Sequence, residues 1–542
     1  MTKLHPVRQF INRVASNPSA PYLHQAKSGQ WQTYTWAEVD TQARKIASAL
    51  QDQGYAPGDR IAILAKNSME WIVSDIAIAM AGYISVPIYA TAGESTINYV
   101  LNHSGSKAVF VGKLDDYAPL KAANPGLPTI GYPYDKIEAD HDWNDWLEKY
   151  PPLDDVCIPE LEDMYTLVYT SGSTGNPKGV VLSGLNLAAA ATALSDGYAE
   201  KGNRMLSYLP MAHITERSLV TMASLYMDIQ IFFNESLETF LDDLKHAKVT
   251  GFITVPRLWA KFQSQILAKV PDKRLQRILS IPVVGKLFAK KLRQQLGFGD
   301  CAFYGSGTAP IPPSLLEWWQ RLGVNIGEGW GMTELAGAGA GNTPCDVSRL
   351  GTIGAPFGDM EFKLADSGEL LVRGSSVFKE YYNNPEATAG SFDGEWFKTG
   401  DKAVQNSNGS WSITGRVKEQ FKTGKGKYVA PVPIESLLGA NVYIEQCCVV
   451  GSGMPQPLAL VALAEGHGQS QQLVEQSLLE TLESVNGDVE GHERLDRLIV
   501  VKEPWSIENG LLTPTLKLKR TEIESAHQAL VTDAKSGKVV WE

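Results

Sequence analysis

The sequence predicts an α/β protein: a large N-terminal domain of layered α/β subdomains with a small β-barrel-like subdomain, followed by a small α+β C-terminal domain. Three observations lead to this fold class. The chain has 542 residues, more than a single hydrophobic core usually holds. Helical and strand-like segments alternate over its first part, which predicts a parallel sheet covered on both faces. Between Thr343 and Gly415 short strand-like pieces alternate with Gly, Asn, Asp and Ser, which indicates antiparallel structure.

The alternation begins after Thr35, which forms a predicted capping box with Glu38. Apolar residues then recur at helical spacing as far as Leu50, and "RIAILA" follows as a buried strand. The same alternation continues with "EWIVSDIAIAMAGY" as helix, "ISVPIYA" as strand, "STINYVLNHSG" as helix and "KAVFVG" as strand. These segments predict the parallel sheet of the large domain.

Short strands are predicted in the β-rich part at "MEFKLA", "GELLVRG" and "GSWSITG". Mixed elements return afterwards, with "VYIEQCCVVG" and "LALVALAEG" as strands and "SQQLVEQSLLETLESV" as a helix. We therefore place the domain boundary near Gly415 to Lys418. The large domain is residues 1–415, with its β-rich subdomain at about 343–415, and the small domain is residues 416–542.

Composition excludes several classes of protein. Hydrophobic residues make up 44% and the net charge is −11, with no basic block of the kind that binds nucleic acid. The N-terminus reads as an amphipathic helix and not as a signal peptide, and the most apolar stretch is broken by Gly82, Ser85 and Pro87. We expect no transmembrane segment and a cytoplasmic location, which the five cysteines fit because they show neither paired metal spacing nor the density of a disulfide scaffold. Oligomeric state and peripheral contact with the inner face of the membrane stay open.

A run rich in Ser, Thr and Gly, "YTSGSTGNPKGVVLS", lies between two strand-like segments from Tyr169 to Ser183. Backbone N–H groups, hydroxyls and a lysine together suit a polyphosphate better than a linker. The run is not a Walker A loop, because Lys178 precedes Gly179 and no Ser or Thr follows the lysine to bind Mg²⁺. The sequence therefore predicts a phosphate-binding loop and disfavours a kinase or P-loop ATPase.

The stretch from Tyr169 to Gly179 resembles the phosphate-loop signature of the adenylate-forming (AMP-binding) acyl- and aryl-CoA synthetase family. Gly184 stands where many members have a histidine. Further motifs follow in the family's order over nearly the whole chain, and they are most similar to the long-chain fatty acyl-CoA synthetase branch. The resemblance implies that Lys178 and the preceding loop bind the ATP phosphates, through Thr170, Ser171, Gly172, Ser173, Thr174 and Gly175.

Three more segments resemble parts of the family's acid and adenine sites. "SYLPMAHITER" implies that His213 lies beside the carboxylate and the α-phosphate. "GFITVPRLWAKF" implies that Trp259 lies at the mouth of an acyl tunnel, although a Trp in an apolar helix is also an ordinary core residue. "YGSGTAPIPP" resembles the adenine-flanking segment, whose small residues would let the backbone approach the base: Ser306, Gly307, Thr308 and Ala309.

The segment "GEGWGMTE" resembles the family's aromatic-Gly-x-Thr-Glu motif, with Trp330 in place of the usual tyrosine. The motif implies that Thr333 contacts the α-phosphate and that Glu334 supplies a carboxylate ligand for Mg²⁺. Its nucleotide-binding residues would be Glu328, Gly329, Trp330, Gly331, Met332 and Thr333.

Later motifs imply the ribose contacts and the hinge. In "GEWFKTGD" the Asp401 carboxylate would accept both ribose hydroxyls, and in "GRVKEQFK" Arg416 would bind the ribose or the phosphates. The family's hinge falls on Lys418, and the C-terminal domain is implied to be a mobile lid.

The segment "LTPTLKLKR" resembles the one that holds the family's catalytic lysine. Alignment of Thr515 and Arg520 with the motif selects Lys517 over Lys519, on position alone. The implied catalytic residues are Lys517, Lys178, His213, Thr333 and Glu334.

The resemblance implies an acid-thiol ligase that uses ATP and Mg²⁺ to convert a fatty acid to acyl-adenylate, releases pyrophosphate, and transfers the acyl group to CoA. Medium to long chains are favoured. Two alternatives stay open: an adenylating ligase that uses a carrier-protein thiol or an aryl or other acid, and a non-catalytic nucleotide-binding protein. The presence of Lys178, Glu334, Asp401, Arg416 and Lys517 argues against the second.

Overall fold

The computed structural model describes residues 3–123, 125–134, 137–170, 176–193, 195, 202–464, 469–507, 509–513, 517–532 and 537–542. The first part of the chain builds one large sheet, helices that cover it, and two strands that join a later sheet. Its elements are α1 Pro6–Ser16, β1 Pro21–Lys27, β2 Gln30–Thr35, α2 Trp36–Asp52, β3 Arg60–Ala65, α3 Met69–Met80, β4 Ile84–Ile88, α4 Glu94–Ser104, β5 Ser106–Gly112, α5 Ala118–Ala123, β6 Thr129–Gly131, β7 His141–Asp142, α6 Trp143–Lys149, β8 Met164–Thr170 and β9 Lys178–Ser183.

The large sheet has the strand order β7-β6-β5-β3-β4-β8-β9. All neighbouring pairs are parallel except β8 and β9, which form an antiparallel pair. The buried runs of β3 and β4 carry apolar side chains on both faces, as a sheet covered twice requires. Thr35 accepts from the Glu38 N–H, and the Glu38 carboxylate accepts from the Thr35 N–H, so the predicted capping box at α2 is confirmed.

The next part of the chain contributes two further sheets. The elements are α7 Gly184–Thr192, β10 Asn203–Ser207, α8 Ile214–Glu216, a π-helical turn Arg217–Met222, α9 Ala223–Met227, β11 Ile229–Phe233, α10 Phe240–Ala247, β12 Gly251–Thr254, α11 Pro256–Lys269, α12 Asp272–Leu279, α13 Val284–Gln295, β13 Phe303–Ser306, α14 Pro313–Arg321, β14 Ile326–Trp330, a 3₁₀ turn Thr333–Leu335, β15 Ala340–Gly341, a 3₁₀ turn Val347–Arg349 and β16 Ala355–Pro356. Their strand orders are β10-β11-β1-β2 and β12-β13-β14-β15-β16.

The β-rich part is an antiparallel sheet, as its short alternating strands predicted. Its elements are β17 Glu361–Leu364, β18 Glu369–Arg373, α15 Pro385–Gly390, β19 Phe392–Asp393, β20 Trp396–Gln405 and β21 Trp411–Arg416. The path runs β17-β18-β20-β19, and β21 pairs with β20. This pairing places Asp401 opposite Arg416, the two residues predicted to bind ribose.

The C-terminal part has its own sheet and its own core. The elements are β22 Phe421–Lys422, β23 Tyr428–Val429, α16 Pro431–Leu438, β24 Ile444–Val450, β25 Leu458–Leu463, α17 Gln471–Asp488, β26 Leu498–Val501, α18 Arg520–Ala526, α19 Gln528–Thr532 and β27 Val539–Trp541. The strand order is β24-β25-β26-β27, and apolar clusters cover both faces. The boundary near Gly415 to Lys418 stays a prediction. Within the described ranges, no helix is long and apolar enough to cross a membrane.

Candidate active site

The β8–β9 hairpin carries the predicted phosphate loop, and its two ends are fixed by strand pairing. Thr170 at the end of β8 lies opposite Lys178 at the start of β9. Ser171, Gly172, Ser173, Thr174 and Gly175, which complete the predicted loop, lie outside the described residues. The hairpin thus holds Lys178 at the mouth of the loop, where its exposed side chain can reach a ligand.

Tyr381 connects Lys178 to Glu334. The Lys178 ammonium lies 4.6 Å from the centre of the Tyr381 ring, and the Tyr381 hydroxyl donates a 2.8 Å hydrogen bond to Glu334 Oε1. Burial and the neighbouring Glu334 carboxylate raise the pKa of Tyr381, so the hydroxyl keeps its proton. The Glu334 main chain is fixed as well, because its carbonyl accepts from the Phe378 N–H. The predicted phosphate-binding and metal-binding residues are therefore neighbours.

The turn after β14 brings Trp330 onto Asp401. The indole N–H of Trp330 donates a 2.8 Å hydrogen bond to Asp401 Oδ2, and Arg416 Nε lies 2.7 Å from Oδ1. A carboxylate has about four lone-pair directions, so both oxygens can still accept from a ligand. The turn itself needs Gly331, because a Cβ there would lie 2.3 Å from the Gly337 carbonyl oxygen.

The Asp401 carboxyl is 4% exposed, and burial raises its pKa. The Arg416 guanidinium and the Trp330 hydrogen bond act in the opposite direction, as does the Lys517 charge. Burial thus makes the ionised form costly, and these three partners stabilise it.

The predicted adenine-flanking segment follows β13, which pairs in parallel with β14 and sets Ser306 opposite Glu328. A Cβ at Gly307 would lie 3.3 Å from the Gly329 carbonyl oxygen, so the two segments run close together. Thr308 has φ of 70°, in the left-handed region that non-glycine residues seldom adopt, and Ala309 beyond it is exposed. Burial raises the pKa of Glu328 to about 7, and its Oε2 accepts from the Gly351 N–H at 2.6 Å.

His213 caps the N-terminus of α8, where its Nδ1 accepts from the Thr215 N–H at 3.3 Å. Burial lowers the pKa of His213 to about 3, and the positive charge of Lys517 acts in the same direction. His213 as a whole residue is partly exposed, but desolvation of the imidazole disfavours its charged form. The imidazole is therefore neutral at physiological pH.

Lys517 belongs to the C-terminal part of the chain, yet its charge acts on residues of the large domain. Desolvation and the Arg416 charge lower its pKa, while the carboxylates of Asp401 and Glu334 raise it. Lys517 itself is exposed to solvent. The structure thus assembles Lys517, His213, Asp401 and Glu334 from segments that are far apart in sequence.

Two protein-family models together match most of the chain. The family model for the AMP-binding enzyme matches residues 10–382, and the model for the AMP-binding enzyme C-terminal domain matches residues 419–535. The chain belongs to the AMP-binding enzyme family. It is an adenylating, acyl-activating enzyme that binds ATP, and its α/β architecture is that of the family.

Relatives agree on the fold and differ in substrate. The long-chain-fatty-acid–CoA ligase FadD15 of Mycobacterium bovis is 30% identical over 546 residues, which cover 91% of this chain and 90% of that protein. The crystal structure of the anthranilate CoA ligase AuaEII in complex with anthranoyl-AMP has a TM-score of 0.80 at 21% identity, covering 97% and 98% of the two chains. The adenylation domain of carboxylic acid reductase from Segniliparus rugosus has a TM-score of 0.79 at 21% identity, covering 98% and 94%.

Two more predicted positions of this AMP-binding enzyme are Trp259 and Lys418. Trp259 has no exposed surface and packs in an aromatic cluster with Phe252, Phe298 and Trp319, while its indole N–H donates to the Gly305 carbonyl. These contacts are those of a core residue, and the tunnel role stays a prediction. Lys418 is exposed between β21 and β22, and its hinge role stays a prediction as well.

Tyr381 is a functional candidate that sequence reasoning missed. It lies in "KEYYNNPEA", where nothing distinguishes it from the adjacent Tyr382. Tyr381 faces Glu334 because an isolated bridge pairs it with Val180 of β9. The position of Tyr381 beside Glu334 can therefore be recognised only from the folded structure.

Glu334 of this AMP-binding enzyme fits a magnesium site in which substrate phosphates supply most of the ligands. The described ranges contain no group of three His, Cys, Asp or Glu side chains suited to hold a metal. Glu334 offers Oε2, which no described donor contacts, while Oε1 is engaged by Tyr381. One carboxylate plus substrate phosphates is the usual way in which proteins bind Mg²⁺.

Proposed function

We propose that this enzyme is an AMP-forming fatty acid–CoA ligase acting on medium to long chains. The observation that carries the proposal is the similarity to long-chain-fatty-acid–CoA ligase FadD15, at 30% identity along 91% of the chain. The proximity of the Lys517 charge to both Asp401 and His213 supports an intact adenylation site.

We assign the nucleotide to these residues by their chemistry. The ribose hydroxyls would donate to Asp401, whose carboxylate is oriented by Trp330 and Arg416. The adenine would lie against the segment from Ser306 to Ala309, in which Ser306 is buried and Ala309 is exposed. The β- and γ-phosphates would lie at the β8–β9 hairpin with Lys178 as their counter-charge, and Thr333 would contact the α-phosphate.

The first half-reaction forms a bond between a carboxylate oxygen and the α-phosphorus and breaks the α–β phosphoanhydride bond, so pyrophosphate leaves. A carboxylate is already a nucleophile, and no general base is needed. The protein contributes positioning and charge neutralisation. Lys517 would balance the charge on the carboxylate and α-phosphate, and neutral His213 can hydrogen-bond there without a second positive charge.

In the second half-reaction a thiol sulfur bonds to the acyl carbon, the acyl–oxygen bond to AMP breaks and the thiol proton is released, which yields a thioester and AMP. Coenzyme A is the proposed thiol. A bound Mg²⁺ would supply charge neutralisation between the phosphates and would be held from the protein side by Glu334. The Tyr381 hydroxyl fixes the orientation of that carboxylate.

An AMP-release screen tests the proposed function. We expect AMP release with fatty acids of medium to long chain, dependent on CoA, and little with aryl acids. Preference for an aryl acid, or turnover with a carrier-protein thiol and not with CoA, would contradict the fatty acid–CoA assignment. ATP binding without pyrophosphate release would favour a non-catalytic protein, and ADP as product would indicate a kinase.

Replacement of Trp330 by Phe tests the proposed ribose contact. The variant keeps an aromatic face but loses the N–H donor to Asp401, and a hydrogen bond to a charged group contributes about 1.5–3 kcal/mol. We expect the KM for ATP to rise about tenfold or more, with a nearly unchanged KM for the fatty acid. Steady-state kinetics at varied ATP measure this.

Trp411→Phe is the matched control for Trp330→Phe. Both indoles pack edge-on against Phe362 at 5.6 Å, but within the described residues the Trp411 indole donates no hydrogen bond. An equal rise in the KM for ATP in both variants would mean that packing, and not the bond to Asp401, explains the effect.

A further inference from the structure

An exposed aliphatic patch lies at the connection between α12 and α13. We define the α12–α13 tip as residues 272–295. Ile281 is 46% exposed, Val283 68%, Val284 50% and Leu287 63%. Other exposed large hydrophobic residues of the described chain, such as Leu237, Val442 and Leu473, are scattered. Four within seven positions therefore form an exposed apolar surface of a kind that usually marks an interaction site.

The tip exposes these side chains although its other faces are well packed. Leu275 and Ala289 are buried, and Phe288 and Leu292 pack against the core that contains Trp259. A Cβ at Gly285 would lie 2.4 Å from the Leu279 carbonyl oxygen, so the two helices meet tightly at the turn. The aliphatic residues thus point away from a core that is complete without them.

The turn itself is held in an unusual backbone conformation. Val283 has φ of 67°, and a β-branched residue with positive φ is a genuine outlier. Its side chain gains no burial in return, since it is the most exposed of the four. Within the described chain, no burial of the Val283 side chain offsets the cost of this backbone conformation.

The helices behind the apolar turn are strongly basic. The tip contains seven Lys and Arg residues and one acidic residue, Asp272, in a chain with a net charge of −11. Asp272 is engaged by the Trp318 indole and the Gln276 amide. Six exposed cations of the tip have no ion pair within the described ranges: Lys273, Arg274, Arg277, Lys286, Lys290 and Lys291.

We propose that the α12–α13 tip docks the enzyme on an anionic lipid bilayer, with the aliphatic turn in the interface and the six cations near the headgroups. Aliphatic side chains flanked by Lys and Arg are typical of elements that lie in a membrane interface. A protein-binding patch usually has Trp, Tyr or Arg side chains at its centre. The exposed residues here, Ile281, Val283, Val284 and Leu287, are all aliphatic. Nucleic acid would use the cations but would leave the aliphatic turn exposed to water.

The proposal goes beyond the proposed function and does not depend on it. Its test contains no ATP, acid or thiol, so failure of one leaves the other intact. The wild-type protein is sedimented with large unilamellar vesicles of phosphatidylcholine, with or without phosphatidylglycerol, at several salt concentrations. We expect binding to the vesicles with phosphatidylglycerol, weaker binding as salt rises, and little binding to phosphatidylcholine alone.

Two variants separate the apolar and the charged contributions. The triple variant Val283→Ser/Val284→Ser/Leu287→Ser removes the inserted side chains. It should lower the coefficient for partition of the protein onto the vesicles about tenfold or more. Lys286→Gln/Lys290→Gln/Lys291→Gln should lower it by about fivefold per charge. The matched controls are Leu237→Ser/Val442→Ser/Leu473→Ser, from the scattered exposed residues, and Lys107→Gln/Lys248→Gln/Lys502→Gln, from exposed lysines elsewhere. Both controls should bind as the wild type does.

Several outcomes would overturn the proposal. One is a wild-type protein that stays in the supernatant with every vesicle, and another is tip variants that bind as tightly as their controls. Size-exclusion chromatography without lipid completes the test, since concentration-dependent self-association that only the Ser variant loses, without vesicle binding, would assign the patch to a second copy of the chain. Circular dichroism and thermal unfolding of every variant exclude misfolding as the cause.

Discussion

Lys517→Ala is expected to abolish acyl-adenylate formation while sparing thioester formation from supplied acyl-adenylate. The Lys517 charge acts on Asp401, Glu334 and His213, and the first half-reaction brings an anionic acid against an anionic phosphate there. Removal of a positioned charge-stabilising group of this kind typically costs about 10²–10³-fold in rate. The thiol attacks the neutral acyl carbon of the acyl-adenylate and releases AMP, so this step does not bring a carboxylate against the α-phosphorus. Pyrophosphate exchange measures the first step, and AMP release from synthetic acyl-adenylate with CoA measures the second.

Lys519→Ala is the matched control, because it lies two residues away in the same segment. Lys519 precedes α18, and among the described residues its ammonium has no ion pair. We expect its pyrophosphate exchange to stay near that of the wild type. Loss of exchange in Lys519→Ala with survival in Lys517→Ala would show that the motif alignment is wrong by two residues.

The fold could be predicted from the sequence where it depends on local signals. The capping box of Thr35 and Glu38 uses residues three apart, and the strand Arg60–Ala65 is one uninterrupted apolar run. Sheet order depends on contacts that no local pattern records. β1 pairs with β11, about two hundred residues later, and the phosphate-loop hairpin β8–β9 closes the edge of a sheet that begins with β7.

The site could be predicted as a set of residues but not as a set of contacts. Motif order gave Trp330, Asp401 and Lys517, and the structure brings Trp330 and the Lys517 charge to Asp401. The loss of the usual phenol at Trp330 gave no sign that its indole N–H would bond to a carboxylate 71 positions away. Tyr381 was missed because its partners, Lys178 and Glu334, come from two other segments.

Arg217→Met is expected to have the largest effect on stability. Arg217 is fully buried, lies 2.6 Å from the 1% exposed Asp75 carboxylate, and donates to Ser85 Oγ at 2.9 Å. Its guanidinium also lies over the rings of Trp71 and Tyr165. Without Arg217, the Asp75 carboxylate would be buried without a counter-ion, which costs about 3–5 kcal/mol. Urea-induced unfolding, followed by tryptophan fluorescence, measures the loss.

The double variant Asp75→Asn/Arg217→Met separates an unpaired charge from lost packing. It removes both charges, so most of the stability should return if the isolated carboxylate causes the loss. Lys121→Met is the exposed control, because the Lys121–Glu138 pair is 2.8 Å long but 60% and 81% exposed, and such pairs contribute about 0–1 kcal/mol. Because Arg217 follows α8, which His213 caps, Arg217→Met should also weaken adenylation. A loss as small as that of Lys121→Met would mean that the Arg217–Asp75 pair does not anchor this segment.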